Sequence, residues 1–168
     1  MKSGIILLVI DSSIWIDLVK SDLLDAFFRL PCSFFAADLV SVYESVGVDW
    51  DVLVSKGLHL LGLSEEEMGI LVSIRQDHQN TSVPDLASFL IAQKTKGVLL
   101  TGDRNLLNFA ETQVEVHGFL WVMEQLVNEN LLTPEGAINC LEQLRQDPNF
   151  RLPVDECQKM IRIWRKQS

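Results

Sequence analysis

Cysteine is scarce in this sequence of 168 residues, and the three that occur are far apart. Cys32, Cys140 and Cys157 form no C-x-x-C pair, which excludes the usual sequence patterns of a disulfide framework and of a thiolate zinc site. The three histidines also lack the spacing of metal ligands. We therefore expect reduced, buried or half-buried thiols and no zinc.

Long apolar runs are missing as well. No stretch approaches the roughly 20 apolar residues that a membrane-spanning helix needs. The apolar segment near the N-terminus is interrupted by Asp11 and Asp17, and no small-residue cleavage site follows it, which argues against a signal peptide. We therefore expect a cytoplasmic protein without a membrane segment.

Basic residues are outnumbered, because 14 Lys and Arg stand against 23 Asp and Glu and the net charge is −9. This excess of negative charge argues against a protein that coats duplex nucleic acid by charge alone. It does not exclude a nuclease, because clustered carboxylates keep the local potential negative until metal ions bind. The segment 151–168 departs from this pattern, with a net charge of +3.

Short apolar stretches alternate with amphipathic ones along most of the chain. Continuous apolar runs such as "GIILLVI" are typical of buried parallel strands, and capping residues mark the starts of helices. The predicted strands are 4–10, 32–37, 58–63, 98–103 and 114–118, and the predicted helical segments are 12–30, 38–57, 64–78, 82–97 and 104–111. This alternation predicts a single α/β domain with a parallel sheet flanked by helices.

Four acidic residues are expected to meet at one edge of this sheet. Asp11 and Asp103 each follow a predicted strand, and open parallel sheets bind ligands beyond the carboxyl ends of their strands. Asp85 lies in the first turn of the helix before the Asp103 strand, and Glu44 lies about two turns into the helix after the second strand. Because crowded like charges need compensation and an all-oxygen site favours hard cations, the pattern predicts bound Mg²⁺ or Mn²⁺.

Each of these acids also has an ordinary structural interpretation. Asp11 could serve only as the N-cap of the next helix, and Asp85 could be only the capping-box partner at the third helical position. Asp103 could be a turn residue, and Glu44 could be a solvated acid on a helix face. Asp38, at the end of the second predicted strand, could replace or assist Glu44, although an N-cap is the simpler role.

Neighbouring polar residues could support the cluster. Ser12 and Thr101 could hydrogen-bond to a metal-ligating carboxylate, or could bond only to the local backbone. Arg104 could contact a substrate phosphate, or could simply be solvated. A phosphohydrolase is disfavoured because its signature places a second Asp two residues after the first, where Ser13 stands here.

These elements resemble the PIN-domain family of metal-dependent ribonucleases. "VIDSSIWIDL" is similar to the family's opening strand and helix with the first acid, Asp11, and "DLVSVYESV" is similar to the helix with the second, Glu44. "SVPDLASFLIAQ" resembles the helix with the third acid, Asp85, and "VLLTGDRNLLNFA" resembles the T-x-D element with Thr101 and the fourth acid, Asp103. The segment that begins "VEVHGFLWVMEQL" resembles the tail of a little-characterised prokaryotic PIN-like subgroup.

The resemblance implies a PIN-like fold and a ribonuclease whose acidic cluster holds one or two divalent ions for the attack of water on a phosphodiester. Many PIN proteins of this size are toxins of VapC-type toxin–antitoxin pairs, so an RNA substrate and an antitoxin partner are implied. Many members carry a further acid beside the fourth, whereas Gly102 and Asn105 occupy those places here. This difference leaves open a catalytically silent PIN-like protein with a binding or regulatory role.

Residues 131–168 are predicted to form a helical extension packed on a PIN-like α/β domain of residues 1–130. The extension ends in an amphipathic helix whose apolar stripe has i, i+3, i+4, i+7 spacing. The stripe consists of Cys157, Met160, Ile161 and Trp164. Such a stripe either packs on its own domain or docks on a partner.

We also expect a homodimer, because the predicted helices offer apolar surface beyond what one small domain needs for its core. The predicted dimer surface includes Leu23, Phe27, Phe28 and the Trp164 stripe. In a two-fold dimer the same patch must occur on both subunits.

Overall fold

The computed structural model describes residues 4–168 and contains, within them, one parallel sheet of five strands. The strands are β1 (Ile6–Ile10), β2 (Cys32–Ala37), β3 (Leu58–Leu61), β4 (Val98–Leu100) and β5 (Val116–His117). Their order across the sheet is β3-β2-β1-β4-β5, and every neighbouring pair is parallel. The predicted α/β fold with a parallel sheet flanked by helices is confirmed.

Helices connect the strands and cover both faces of the sheet. They are α1 (Ser12–Lys20), α2 (Leu24–Phe28), α3 (Asp38–Tyr43), α4 (Trp50–Lys56), α5 (Glu65–Asp77), α6 (Val83–Thr95), α7 (Arg104–Ala110), α8 (Phe119–Asn128), α9 (Pro134–Leu144) and α10 (Val154–Gln167). Ser64, Ser82 and Thr133 start α5, α6 and α9 by accepting a backbone N–H, as N-cap residues do. None of the helices in residues 4–168 is long and apolar enough to cross a membrane.

The alternation of side chains along β1 divides the core into two layers. Leu8 and Ile10 point to a layer formed with α1, α2, α4, α8, α9 and α10, whereas Val9 points to a layer formed with α3, α5, α6 and α7. All three side chains are fully buried, as expected for a central strand covered on both faces. β1 therefore fixes the position of whatever follows it at the edge of the sheet.

The surface predicted for the homodimer is part of the core of this chain. Leu23, Phe27 and Trp164 are buried, and Phe28 packs against the same layer. Trp15 meets Phe27 edge to face, with 5.7 Å between the ring centroids. These side chains gain their burial within one chain and are not available to a second copy, so the predicted dimer surface is wrong; the homodimer itself stays a prediction.

The apolar stripe of α10 packs against the core of its own chain and is not exposed for a partner. Cys157, Ile161 and Trp164 belong to the same buried layer as α8 and α9. The loop between α9 and α10 returns to α1, where Lys20 forms a salt bridge of 3.0 Å with Asp147. The helices after residue 130 thus share a hydrophobic core with the sheet, while the boundary drawn at residue 130 stays a prediction.

Candidate active site

The site lies beyond the carboxyl ends of β1 and β4, two strands that are neighbours in the sheet although their connections run to opposite sides of it. The chain goes from β1 to β2 on one side, and β4 lies on the other side of β1. The two strands are in register at Ile10 and Leu100, and the backbone N–H of Asp11 donates to the carbonyl of Leu100 at 3.0 Å. Such a switch point is the usual ligand site of an open parallel sheet, and Asp11 lies in it.

Asp11 is almost completely buried and is held by several donors. Its Oδ1 accepts a hydrogen bond from the backbone N–H of Ser12 at 2.7 Å, so Asp11 does cap α1. Its Oδ2 accepts from the hydroxyls of Ser13, at 3.0 Å, and Thr101, at 2.8 Å. A simple helix cap needs neither of the hydrogen bonds from Ser13 and Thr101. Together these two bonds fix the orientation of the Asp11 carboxylate.

Thr101 connects the first and last acids of the cluster. Its hydroxyl donates to Asp11 Oδ2 and accepts from the backbone N–H of Asp103 at 3.0 Å. The Asp103 carboxylate in turn accepts from the backbone N–H of Leu106 at 2.9 Å, which starts α7. Asp103 is therefore an N-cap rather than an unspecialised turn residue, and its position is coupled to that of Asp11.

Asp85 lies half-buried in the first turn of α6 and interacts electrostatically with both of these acids. Burial, and then the negative charge of Asp11, raise the pKa of Asp85 to about 7, and Asp103 adds to the rise. Its backbone N–H donates to the Ser82 hydroxyl at 3.2 Å, so it also occupies the capping position that the sequence suggested. Asp85 thus occupies the capping position and also lies near enough to Asp11 for that charge to raise its pKa, while its role as a metal ligand stays a prediction.

Glu44 is not two turns into a helix, as predicted, because α3 ends at Tyr43. Glu44 is the residue that follows it, with extended backbone angles (φ −121°, ψ 139°). Its carbonyl accepts a hydrogen bond from the indole N–H of Trp50 at 3.0 Å, which holds the chain out of the helical path. Burial and the charge of Asp11 raise the pKa of the Glu44 carboxyl, so this half-buried group still faces the cluster.

The remaining predicted residues differ in their contacts. The Ser12 hydroxyl makes only a long contact of 3.4 Å with Asp11 Oδ1. Arg104 is exposed and takes part in none of the salt bridges found within residues 4–168. Thr101 is therefore the better-placed support for Asp11, and nothing in the structure ties Arg104 to the cluster.

The donor set fits a hard divalent cation in chemistry and in charge. Four carboxylates repel one another here, and the N-termini of α1, α6 and α7 offset only part of that repulsion. Among residues 4–168, no group of three or more His, Cys, Asp or Glu side chains is arranged to hold a metal ion by itself. Magnesium keeps several waters and needs only one or two carboxylates, so an open set suits it better than it suits zinc.

Two residues near the cluster were missed by sequence reasoning. Ser13 donates to Asp11 and accepts from the backbone N–H of Gly102 at 2.8 Å, which joins α1 to the loop after β4. Asp17, which the sequence did not assign to the cluster, lines a cavity that extends from Asp103 along α1. The available signal was helical spacing, because Ser13, Asp17 and Lys20 share one face of α1.

Ser13 offers a prediction about stability. Ser13→Ala removes two hydrogen bonds, one of them to a carboxylate, and we expect it to lower the free energy of unfolding by about 1 to 2 kcal/mol. Ser12→Ala is the matched control, because that hydroxyl makes only the 3.4 Å contact and its loss is expected to cost less than about 0.5 kcal/mol. Urea unfolding of both variants measures the difference, and equal losses would contradict the role given to Ser13.

Comparison with known protein families agrees with this geometry. Residues 7–166 match the family DUF3368, described as a PIN domain. No curated protein matches the chain. The match spans every strand and helix that places the four acids, and PIN domains are generally nucleases that use divalent metals. The chain belongs to the PIN-domain family.

Proposed function

We propose that this chain is a Mg²⁺- or Mn²⁺-dependent endoribonuclease whose catalytic residues are Asp11, Glu44, Asp85 and Asp103. The observation that carries the proposal is the electrostatic effect of Asp11 and Asp103 on neighbouring carboxylates at the switch point of the sheet. Burial, and after it the charge of Asp11, raises the pKa of both Glu44 and Asp85, and Asp103 adds to the rise at Asp85. A fold gains no stability by crowding acids, so the cluster is best explained by a cation that it binds.

Asp11 would be the fixed ligand of this site. Its carboxylate is buried and is oriented by the Ser13 and Thr101 hydroxyls, which leaves it little rotational freedom to lose when an ion binds. Asp103 is oriented from the same Thr101 hydroxyl through its own backbone N–H. Thr101 and Ser13 are therefore positioning residues, which act through the carboxylates they hold.

Asp85 would couple ion binding to pH. With its pKa raised to about 7, the Asp85 carboxyl is close to half-protonated at neutral pH before any ion binds. Binding of a cation requires the ionised form, so a proton leaves Asp85 and affinity increases as pH rises through that range. When bound, a divalent ion supplies the positive charge that activates water and stabilises the phosphoryl oxygens.

RNA is the proposed substrate because PIN-domain proteins commonly bind RNA. The chain carries a net charge of −9, so a polyanion gains little from the surface as a whole and must rely on the cation site and on local basic groups. Exposed Arg104, the first residue of α7 next to Asp103, is the basic side chain closest in sequence to the cluster. We include it in the proposal as a weak contact to phosphate.

A toxin role, with an antitoxin that silences the site, is the finer form of this proposal. It is supported by the family and by the size of the chain. Expression in a bacterial host is expected to arrest growth, and Asp103→Asn is expected to abolish the arrest. Arrest that persists at equal expression of Asp103→Asn would show that toxicity does not depend on the cluster.

One observation favours a second candidate, a catalytically silent PIN-like protein with a binding or regulatory role. Gly102 and Asn105 stand beside Asp103, where many PIN domains have a further acid, and no group of three or more acids, His or Cys among residues 4–168 is arranged to hold a metal ion. Fewer carboxylates lower the affinity for a second ion. The two candidates differ in whether the purified chain cleaves RNA.

The deciding experiment is cleavage of labelled single-stranded RNA by the purified full chain after removal of metal with a chelator. We expect activity to return with Mg²⁺ or Mn²⁺, and Asp103→Asn to lose at least about a hundredfold in rate. Asp77→Asn is the matched control, because Asp77 is an exposed acid at the end of α5 that is not among the charges that shift the pKa of Glu44 or Asp85, and the variant should behave as wild type. A wild type that is inactive with both ions, or an Asp103→Asn variant that matches it, would contradict the proposal.

A further inference from the structure

A cavity of about 390 Å³ extends from the carboxylate cluster along the outer face of α1. Ser13 and Asp103 form the end next to the cluster, and the loop between α9 and α10 forms the far wall. The size is within the range of about 300 to 1,000 Å³ that is typical of small-ligand sites. The cavity is therefore large enough for one nucleoside next to the proposed point of cleavage.

The walls of this cavity suit a flat, uncharged ring. Ile16, Leu144, Phe150 and Leu152 give it apolar sides, and all four pack against the larger core layer without being fully buried. Phe150 is aromatic, and single-stranded RNA is commonly recognised by bases stacked on such side chains. An unstacked base placed here would remove apolar surface of both partners from water.

Asp17 is a half-buried acidic group of this cavity whose carboxylate has no hydrogen-bond or salt-bridge partner among residues 4–168. Burial raises the pKa of Asp17 to about 6, despite the opposing effect of Lys20 and Arg151. A half-buried carboxylate without protein donors leaves two oxygen acceptors free for a ligand.

The charges around Asp17 favour a ligand that donates hydrogen bonds from neutral groups over a ligand that carries a positive charge. Lys20 and Arg151 both act on Asp17, and Lys20 is bridged to Asp147 at the rim. A guanidinium or ammonium group from a partner protein would meet these two cations as it entered. A ring that offers neutral N–H groups meets no such repulsion.

We propose that this cavity binds a guanine base of the RNA substrate, with Asp17 accepting hydrogen bonds from the N1–H and N2–H groups. Guanine alone among the four bases presents two adjacent donors on its Watson–Crick edge, and an ionised carboxylate presents two matching acceptors. The inference rests on the proposed ribonuclease function, which it extends from RNA in general to single-stranded RNA with a guanine beside the cleaved phosphate. Asp17 would be a specificity residue that does not touch the reacting atoms.

Binding of nucleotides to the full chain without metal tests the cavity independently of cleavage. In a calorimetric or NMR titration at pH 7.5, we expect 5′-GMP to bind at least about tenfold more tightly than AMP, CMP or UMP. Inosine monophosphate, which lacks only the N2 amino group, should bind more weakly than GMP because one hydrogen bond to Asp17 is lost. This comparison uses wild-type protein and does not depend on the folding of a variant.

Asp17→Asn tests the residue itself, because the amide keeps the shape and replaces one acceptor with a donor. We expect the variant to fold as well as wild type and to bind GMP at least about tenfold more weakly. Asp22→Asn is the control, since Asp22 is exposed on the turn after α1 and Asn tolerates its positive φ of 57°. Equal binding of GMP and AMP by wild type, or unchanged GMP binding by Asp17→Asn, would overturn the proposal.

Mapping of cleavage sites separates this inference from the proposed function. With Mn²⁺ and RNA of mixed sequence, wild type should cut at a fixed position relative to guanine, and Asp17→Asn should lose that preference. Cleavage without any relation to guanine would overturn the guanine site and leave the ribonuclease intact. Binding of GMP that depends on Asp17 in a chain that cleaves no RNA would support the guanine site and refute the ribonuclease.

Discussion

Asp11→Asn is expected to lower RNA cleavage by at least about a hundredfold and to leave the fold intact. Asparagine caps helices as well as aspartate does, and the side-chain oxygen can still accept from the Ser12 N–H that begins α1. The amide cannot supply the negative charge that a divalent ion needs. The substitution therefore separates the two roles that the sequence left open for this residue, helix cap and catalytic ligand.

The energetic cost of Asp11→Asn should be small for a second reason. The amide nitrogen replaces Oδ2 and faces both of its hydroxyl donors, Ser13 and Thr101, which must rotate to accept from it, but the substitution also removes a charge that repels Asp85 and Glu44. We expect a net change in the free energy of unfolding within about 1 kcal/mol. Thermal melts of wild type and Asp11→Asn, run in parallel with the cleavage assay, measure this change. A variant that is stable and as active as wild type would show that Asp11 acts only as a helix cap.

Asp85→Asn is expected to stabilise the metal-free protein at pH 8 by on the order of 2 kcal/mol. The pKa of Asp85 is about 7 in the folded protein against an ordinary value of 3.8, so the folded state binds more protons between these two values. Wild-type stability therefore falls as pH rises from about 4 to about 7, and the variant escapes this loss. Only part of the full linkage energy is expected, since neighbouring charges relax.

Urea unfolding in the presence of a chelator, at pH 5, pH 6 and pH 8, measures this effect. Asp17→Asn is a useful comparison, because the pKa of Asp17 is raised to about 6 and its contribution to the pH dependence is complete near that pH. The difference between wild type and Asp85→Asn should keep growing between pH 6 and pH 8, whereas that of Asp17→Asn should not. An Asp85→Asn variant with the same pH dependence as wild type would show that Asp85 is not crowded by Asp11 and Asp103.

The local signals in the sequence predicted most of the elements that position the site. The β-branched run of β1, the short β2 at 32–37 and the capping serines of α5 and α6 all lie where the structure has them. Helix α8 was not predicted as a separate helix, and a physical reason is that its N-cap, Gly118, offers no side-chain hydrogen bond to mark the start. The start of a helix can be predicted from the sequence when a capping side chain marks it, as in α5 and α6. The start of α8 has no such side chain and was missed.

Long-range contacts determined the details that sequence reasoning missed. Glu44 was expected inside a helix, but the hydrogen bond from Trp50 and the positive φ of Gly47 turn the chain before it can continue. The pairing of β1 with β4, which brings Asp11 to Thr101 and Asp103, joins residues about ninety positions apart. The wall opposite Asp17 comes from the loop after α9, and no local pattern near Asp17 indicates it.

The most direct test of the central claim, that the four carboxylates form one cation site, is a titration of the metal-free chain with Mn²⁺. Free ion can be followed by electron paramagnetic resonance, which requires neither a known RNA target nor a partner. We expect saturable binding to wild type that tightens from pH 6 to pH 8, and binding at least about tenfold weaker in Asp11→Asn. Absence of saturable binding by wild type at pH 8, or equal affinity in Asp11→Asn, would contradict the account.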